Sequence, residues 1–220
     1  MKSSFWLERW EANEIGFHQA EINLHLQEHW PQMGLESGGK VFVPLSGKSA
    51  DLLWLLAQGY RVMGVELSKV AVEAFFKEND LQAQVREQGD FQIYEIEGLE
   101  IWQGDFFQLQ KADLSGVMAV FDRASLVALP PEMRKDYVEK IQEILPRGTQ
   151  MLLVSMDYNQ EEMQGPPFAV TNQEVLDLYS GFAKIHHLAN HDIFQESPRF
   201  QERGLTRLKE RVYGLILAEG

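Results

Sequence analysis

The stretch KVFVPLSGKSADLLWLLAQGYRVMGVELS, residues 40–68, decides the fold. An apolar run, Val41-Phe42-Val43, leads into Pro44-Leu45-Ser46-Gly47. Apolar residues then recur with helical spacing at Leu52, Leu53, Leu55 and Leu56. Gly59 stops that helix, and Arg61-Val62-Met63-Gly64-Val65 re-extends to end on Glu66. The reading is a βαβ unit with a carboxylate at the tip of its second strand, about 20 residues past the first turn. A carboxylate in that place accepts hydrogen bonds from two ribose hydroxyls, so the unit points to a nucleoside-containing ligand.

The glycines narrow the ligand. Gly47-Lys48-Ser49 ends like a phosphate-binding P-loop, but the position of that motif's first glycine is Phe42, a strand residue. Without a glycine's backbone freedom there, the phosphate cradle does not form. The dinucleotide pattern G-x-G-x-x-G also fails, because Gly47 is the only glycine in the turn and a pyrophosphate needs close backbone approach. The turn therefore suits a nucleoside without phosphates. S-adenosylmethionine, an adenosine bearing a sulfonium, matches.

Outward from this unit, residues 4–34 read as two helical pieces. Phe5, Trp6 and Trp10 lie on the first; Phe17, Ile22, Leu24, Leu26 and Trp30 lie on the second. So many large aromatics must rest on something, and a lid over the main sheet is expected. Beyond the unit, Lys69–Asn79 reads as a helix capped by Ser68. Residues 91–96 and 99–102 form a hairpin-like insertion, and residues 116–121 a buried strand. A helix starts at Pro130-Pro131, a strand covers 150–156, a short helix 172–179, and two late strands cover 182–193 and 208–218. Strand–helix alternation followed by a late hairpin predicts an α/β sheet, mostly parallel, with an antiparallel edge.

In such a sheet the carboxyl ends of the strands face the ligand. Three polar groups fall there: Glu66, Asp105 and Arg123. Phe106, beside Asp105, offers an apolar surface for adenine. Asp122 and Arg123 read either as an ion pair or as part of the site.

Composition removes several classes. The 220 residues are 45% hydrophobic, enough for a sizeable core, with no apolar run long enough for a membrane span and no signal-peptide pattern at the start. Cysteine is absent, so thiolate metal sites, disulfides and cysteine nucleophiles are excluded, and a cytoplasmic protein is expected. A net charge of −13 repels phosphate backbones, so neither nucleic acid nor membrane is an expected partner. His18, His25 and His29 fall on one helical face, and His187 and His191 share the face of a strand. Neither group reads as the converging set that a metal needs, and no metal is expected. Neither a G-x-S-x-G elbow nor an H-E-x-x-H pair is present.

Four segments together carry a family resemblance: FWLERW and GFH within 5–18, residues 41–68, FDRASLVAL at 121–129 and GPPF at 165–168. Over these, and from about Trp6 onward, the chain resembles the thiopurine S-methyltransferase family, in its shorter bacterial form. Ser46 stands where mammalian relatives carry cysteine. The resemblance implies a Rossmann-like S-adenosylmethionine-dependent methyltransferase fold in one domain over 1–220. An N-terminal helical lid would cover 1–34 and the core 40–220. It implies cofactor contacts at Trp10, Leu45, Glu66, Asp105, Phe106 and Arg123, and acceptor contacts at Phe17, Arg123 and Arg199. No general base is expected; Arg123 and Arg199 position the acceptor. The acceptor would be a thiopurine or another aromatic or heterocyclic thiol, with selenium or tellurium compounds as further substrates, handled by a monomer. The alternative is a non-catalytic protein of the same fold that binds a nucleoside.

Overall fold

The computed structural model describes residues 3–218; positions 1, 2, 219 and 220 of the expected domain lie outside the described residues. Helix α1 (Ser3–Glu11) carries Trp6 and Trp10, and a loop leads to α2 (Leu24–His29). The second helical piece is shorter than its apolar spacing suggests. Asn23 caps it, accepting from the backbone N–H groups of His25 and Leu26, and Pro31 lies in a 3-10 turn over Trp30–Met33. His18 therefore sits in the loop, away from the helical face of His25 and His29.

The opening unit forms as read: β1 (Lys40–Val43), α3 (Asp51–Ala57) and β2 (Arg61–Glu66). Next come α4 (Lys69–Glu78), β3 (Gln84–Gln88), β4 (Phe91–Ile96), β5 (Leu99–Gln103) and β6 (Val117–Arg123). The chain continues through α5 (Pro131–Ile144), β7 (Gln150–Asp157), α6 (Asn172–Tyr179), β8 (Ala183–Asp192), α7 (Pro198–Glu202) and β9 (Lys209–Leu217).

The strands form one sheet in the order β3-β4-β5-β2-β1-β6-β7-β9-β8. The block from β5 to β7 is parallel, and antiparallel pairs extend it at both edges. The antiparallel C-terminal edge was expected; the one at β3 and β4 was not. Nor is β5 merely half of an inserted hairpin, since it pairs in parallel with β2 from Val62–Leu99 to Glu66–Gln103.

Both faces of the block are covered. Phe42, Met63, Val65, Val120 and Leu153 pack towards Tyr137, Ile141, Val175 and Tyr179 of α5 and α6. Val41, Val43, Val62, Ala119 and Phe121 pack towards Leu26, Trp30, Leu52, Leu55 and Phe75 on the other side. Burial on both faces is why these strands are continuous apolar runs instead of alternating ones. Each large aliphatic side chain so buried contributes roughly 1.5–3 kcal/mol.

A bulge in β8 changes one further reading. Its register against β9 shifts between His187 and Ala189, so His187 stands opposite Tyr213 while His191 stands opposite Glu210. One extra residue inverts the alternation of a strand. His187 and His191 thus lie on opposite faces of the sheet, not on a shared one. The chain runs from β1 outward to β2 and β5, then returns to place β6 on β1's other side. That reversal is the topological switch point, where a crevice opens at the strands' carboxyl ends.

Candidate active site

The turn after β1 is tightly set. Leu45 has φ of 46° and Gly47 φ of 54°, a left-handed backbone that a leucine adopts only under constraint. The Ser46 N–H donates to the Val65 carbonyl at 2.9 Å, which extends the β1–β2 pairing into the turn. A Cβ on Gly64 would lie 2.8 Å from Ser46 Oγ, so β2 needs glycine for the turn to pack there. Gly47 faces the N-terminal helix: a Cβ on it would lie 3.1 Å from the Trp10 ring.

Glu66 is the centre of this arrangement. Its Oε2 accepts from the Gly47 N–H at 2.8 Å and its Oε1 from the Ser68 N–H at 2.8 Å. The residue is 7% exposed. Burial raises its pKa above the ordinary value, against the lowering effect of the Ser68 and Gly47 bonds. Each carboxylate oxygen has a second lone pair, so the group can still accept from two hydroxyls. Lys48, the P-loop-like lysine, is committed elsewhere; its Nζ pairs with Glu78 at 2.7 Å.

These residues line a cavity of about 360 Å³ with Trp6, Trp10, Phe17, His18, Asp105 and Phe107. Phe106 also reaches its wall, but only 5% of it is exposed, packed between Phe42 and Tyr137. Phe107 presents the more open ring. Asp105 caps the turn that holds both, accepting from the Phe107 N–H at 3.0 Å.

A second lobe of about 490 Å³ adjoins the first, and Trp6, Phe17, His18, Arg123 and Pro166 line both. Its own wall carries Arg9, Arg199, Arg203 and Glu210. Among the described residues the Arg123 guanidinium makes no hydrogen bond and no ion pair. Burial lowers its pKa while the charges of Asp51 and Glu210 oppose that effect. The ion pair considered for Asp122 and Arg123 does not form. Adjacent strand residues point to opposite faces, and Asp122 turns inward to accept from Tyr137 Oη at 2.8 Å. Arg199 donates to the Gly16 carbonyl and so ties α7 to the N-terminal loop.

The structure thus brings Trp10, Leu45, Glu66, Asp105, Phe106 and Arg123 to one lobe, and Phe17, Arg123 and Arg199 to the other. Sequence reasoning missed Asp51, His18 and Phe107. Asp51 is 2% exposed and accepts from the Asn23 N–H at 2.8 Å, which joins α3 to the N-terminal segment. His18 was read as one side of a helix; it lies instead between the lobes. Burial lowers its pKa first, and the charges of Lys48 and then Arg123 add to that.

The residues fit an adenosyl sulfonium better than a phosphorylated nucleoside. A paired lysine, one glycine in the turn and an acid placed for hydroxyls do not make a pyrophosphate cradle of this turn.

A family model described as Thiopurine S-methyltransferase (TPMT) matches residues 1–217. A thiopurine S-methyltransferase of Pseudomonas fluorescens (strain Pf0-1) is 50% identical over 215 residues, 97% of this chain and 98% of that protein. One from Nitrosospira multiformis is 50% identical over 216 residues, 98% of each chain. Among solved structures, the Burkholderia thailandensis 1,6-didemethyltoxoflavin-N1-methyltransferase, with its substrate and S-adenosylhomocysteine bound, superposes with a TM-score of 0.67. The match covers 99% of this chain and 87% of that one at 13% identity, and shows the likeness of fold.

Proposed function

The chain belongs to the thiopurine S-methyltransferase family, whose members are S-adenosylmethionine-dependent methyltransferases, and we propose that it methylates the sulfur of a thiopurine or another small aromatic or heterocyclic thiol. The observation that carries this reading is the two-lobed cleft with Arg123 on its shared wall. The lobe at Glu66 suits the adenosine end of the donor; the arginine-lined lobe suits a flat anion.

When bound, S-adenosylmethionine supplies a methyl group on a positive sulfonium, which passes to the acceptor sulfur and leaves S-adenosylhomocysteine. Glu66 would accept from the ribose hydroxyls. Phe106 and Phe107, with Asp105, would wall the adenine end. Leu45 and the backbone after it would border the methionine end. Trp6, Trp10 and Phe17 close the cavity from the N-terminal side and keep water from the transfer. Arg123, free of any partner among the described residues, would stabilise the thiolate form of the acceptor. Arg199 carries charge at the lobe's far wall. His18 lines both lobes and would take the acceptor's proton; burial, then the charge of Lys48, lowers its pKa and makes it a weaker base, so the step would rely more on Arg123 stabilising the thiolate. Beyond that step, transfer to a soft anionic sulfur depends on in-line positioning.

The reading extends to a monomer working in the cytoplasm. No helix among the described residues is long and apolar enough to cross a membrane. Labelled S-adenosylmethionine with a panel of 6-mercaptopurine, aromatic thiols, selenite and tellurite tests the assignment. Label on the thiols supports it, and the two oxyanions show whether heavier chalcogens share the site. Binding of S-adenosylhomocysteine with no label on any acceptor would favour the non-catalytic reading.

A further inference from the structure

Away from both lobes, three imidazoles and a carboxylate converge. One ligand atom from each of His25, Glu28, His29 and His191 lies within 4.8 Å of the others. His25 and His29 are one turn apart on the same face of α2. His191 reaches them only because the bulge in β8 turns it to that side of the sheet. The rings are in close order: His25 and His191 have centroids 4.9 Å apart, His25 and His29 6.3 Å.

The nitrogens are the telling feature. His25 Nδ1, His29 Nε2 and His191 Nε2 are all buried without a hydrogen-bond partner among the described residues. The residues His25 and His29 are more than nine-tenths buried. Three orphaned buried nitrogens within one such cluster are costly unless something there binds them. The remaining nitrogen of His25, Nε2, lies 2.7 Å from Glu210 Oε2. A carboxylate behind a histidine is the arrangement that fixes the ring and raises its basicity towards a metal. Glu28 Oε2 lies 3.9 Å from His29 Nε2, on the open side of the cluster.

We propose that His25, His29, His191 and Glu28 bind one divalent transition-metal ion, best fitted by zinc, which fastens α2 to the β8–β9 hairpin. Three imidazoles and one carboxylate, with no thiolate, suit zinc and its neighbours in ligand type. Four protein ligands make a closed, structural site. In a tetrahedral site the ligand atoms stand about 3.3 Å apart, so the cluster draws in on loading, with exposed Glu28 free to swing. The charges balance: Glu28 and Glu210 together offset the ion's two positive charges. None of the four ligands lines either lobe of the cleft, whereas Glu210, behind His25, lies on the wall of the second, so the test reads metal binding and not methyl transfer.

The test uses the full chain, stripped with a chelator and titrated with cobalt(II), then with zinc. The expected result is one equivalent of cobalt with the intense visible bands of a tetrahedral site, displaced by zinc, and a higher Tm in zinc. His191→Gln, on a half-buried strand position, should weaken binding by roughly 100-fold or more. Glu210→Gln, which keeps all four ligands, should weaken it by about 10–100-fold. Glu28→Gln, at an exposed helix position, gives a folded control that also loses affinity. Absence of stoichiometric binding of either ion overturns the proposal. So does binding to His191→Gln and Glu28→Gln as tight as to the unaltered chain.

Discussion

The backbone N–H of Gly47 donates to the carboxylate of Glu66 at 2.8 Å. This single bond joins the turn after β1 to the tip of β2. It presets the acid before any ligand arrives, and the ordering is done in folding instead of binding.

Glu66→Gln should weaken S-adenosylhomocysteine binding by about 10–100-fold, since a hydrogen bond to a charged group contributes roughly 1.5–3 kcal/mol. Glutamine keeps one acceptor for the turn, so the fold should survive. Calorimetry reads the change, and an unaltered affinity would remove Glu66 from the ribose.

Burial holds the Glu66 carboxyl above its ordinary value of 4.5. A protonated Glu66 must lose its proton before it can serve two hydroxyl donors. Cofactor affinity should therefore be full above the raised pKa and fall as pH drops through it. Glu66→Gln should show no such fall, and parallel pH curves for the two proteins would contradict this account.

Arg123→Met should lower kcat/KM for 6-mercaptopurine by about 100-fold, the scale expected for removing one donor that stabilises an anion in a water-poor site. The effect on S-adenosylhomocysteine affinity should be smaller. Steady-state rates at several acceptor concentrations decide it, and near-normal rates would take Arg123 out of the acceptor lobe.

Arg199→Ala cuts the link between α7 and the Gly16 carbonyl. The N-terminal segment should then open more often, which raises KM for the acceptor and speeds limited proteolysis between residues 12 and 22. Mass mapping of the fragments identifies the cut. Unchanged digestion would show that the aromatic contacts hold the segment alone.

Asp122 concerns stability. Burial raises its pKa from 3.8 to about 6, against the lowering hydrogen bond from Tyr137. The folded state therefore keeps the proton at a pH where the unfolded chain has released it. The stabilising contribution is complete below about pH 4 and is lost as pH rises through 6, on the order of 3 kcal/mol in all. Asp122→Asn still accepts from Tyr137 and should gain on the unaltered chain as pH goes from about 4 to 7. Urea unfolding across that range measures it, and a constant difference would contradict the assignment.

The features legible in the sequence were those with local periodicity. Val41–Val43 and Val62–Val65 read as strands because both their faces are buried, and Glu66 and Arg123 stood out as polar ends on apolar runs. What escaped reading lacked such a signal. Every residue of β3 is exposed, and Gln84-Val-Arg-Glu-Gln alternates nothing. α2 ends early through a cap and a proline that the apolar spacing does not register. The histidine cluster depends on one extra residue at Leu188, and a period-two reading of β8 sends His191 to the wrong side. Asp51 looks like any acid in a first helical turn until the Asn23 amide is found against it.

β9 follows β8 in the chain, yet in the sheet it lies inside, between β7 and β8. On a ribosome, β8 thus emerges with no strand to join, and it must wait for β9 to slot in beside β7. The Arg199 tether lies in the same late region, so the link from α7 to the N-terminal loop forms last, although Trp10 and Trp30 pack on Gly47, Tyr60 and Phe121, which appear earlier. A nascent chain halted before about residue 209 would display an unfilled edge on β7, a form well suited to capture by chaperones.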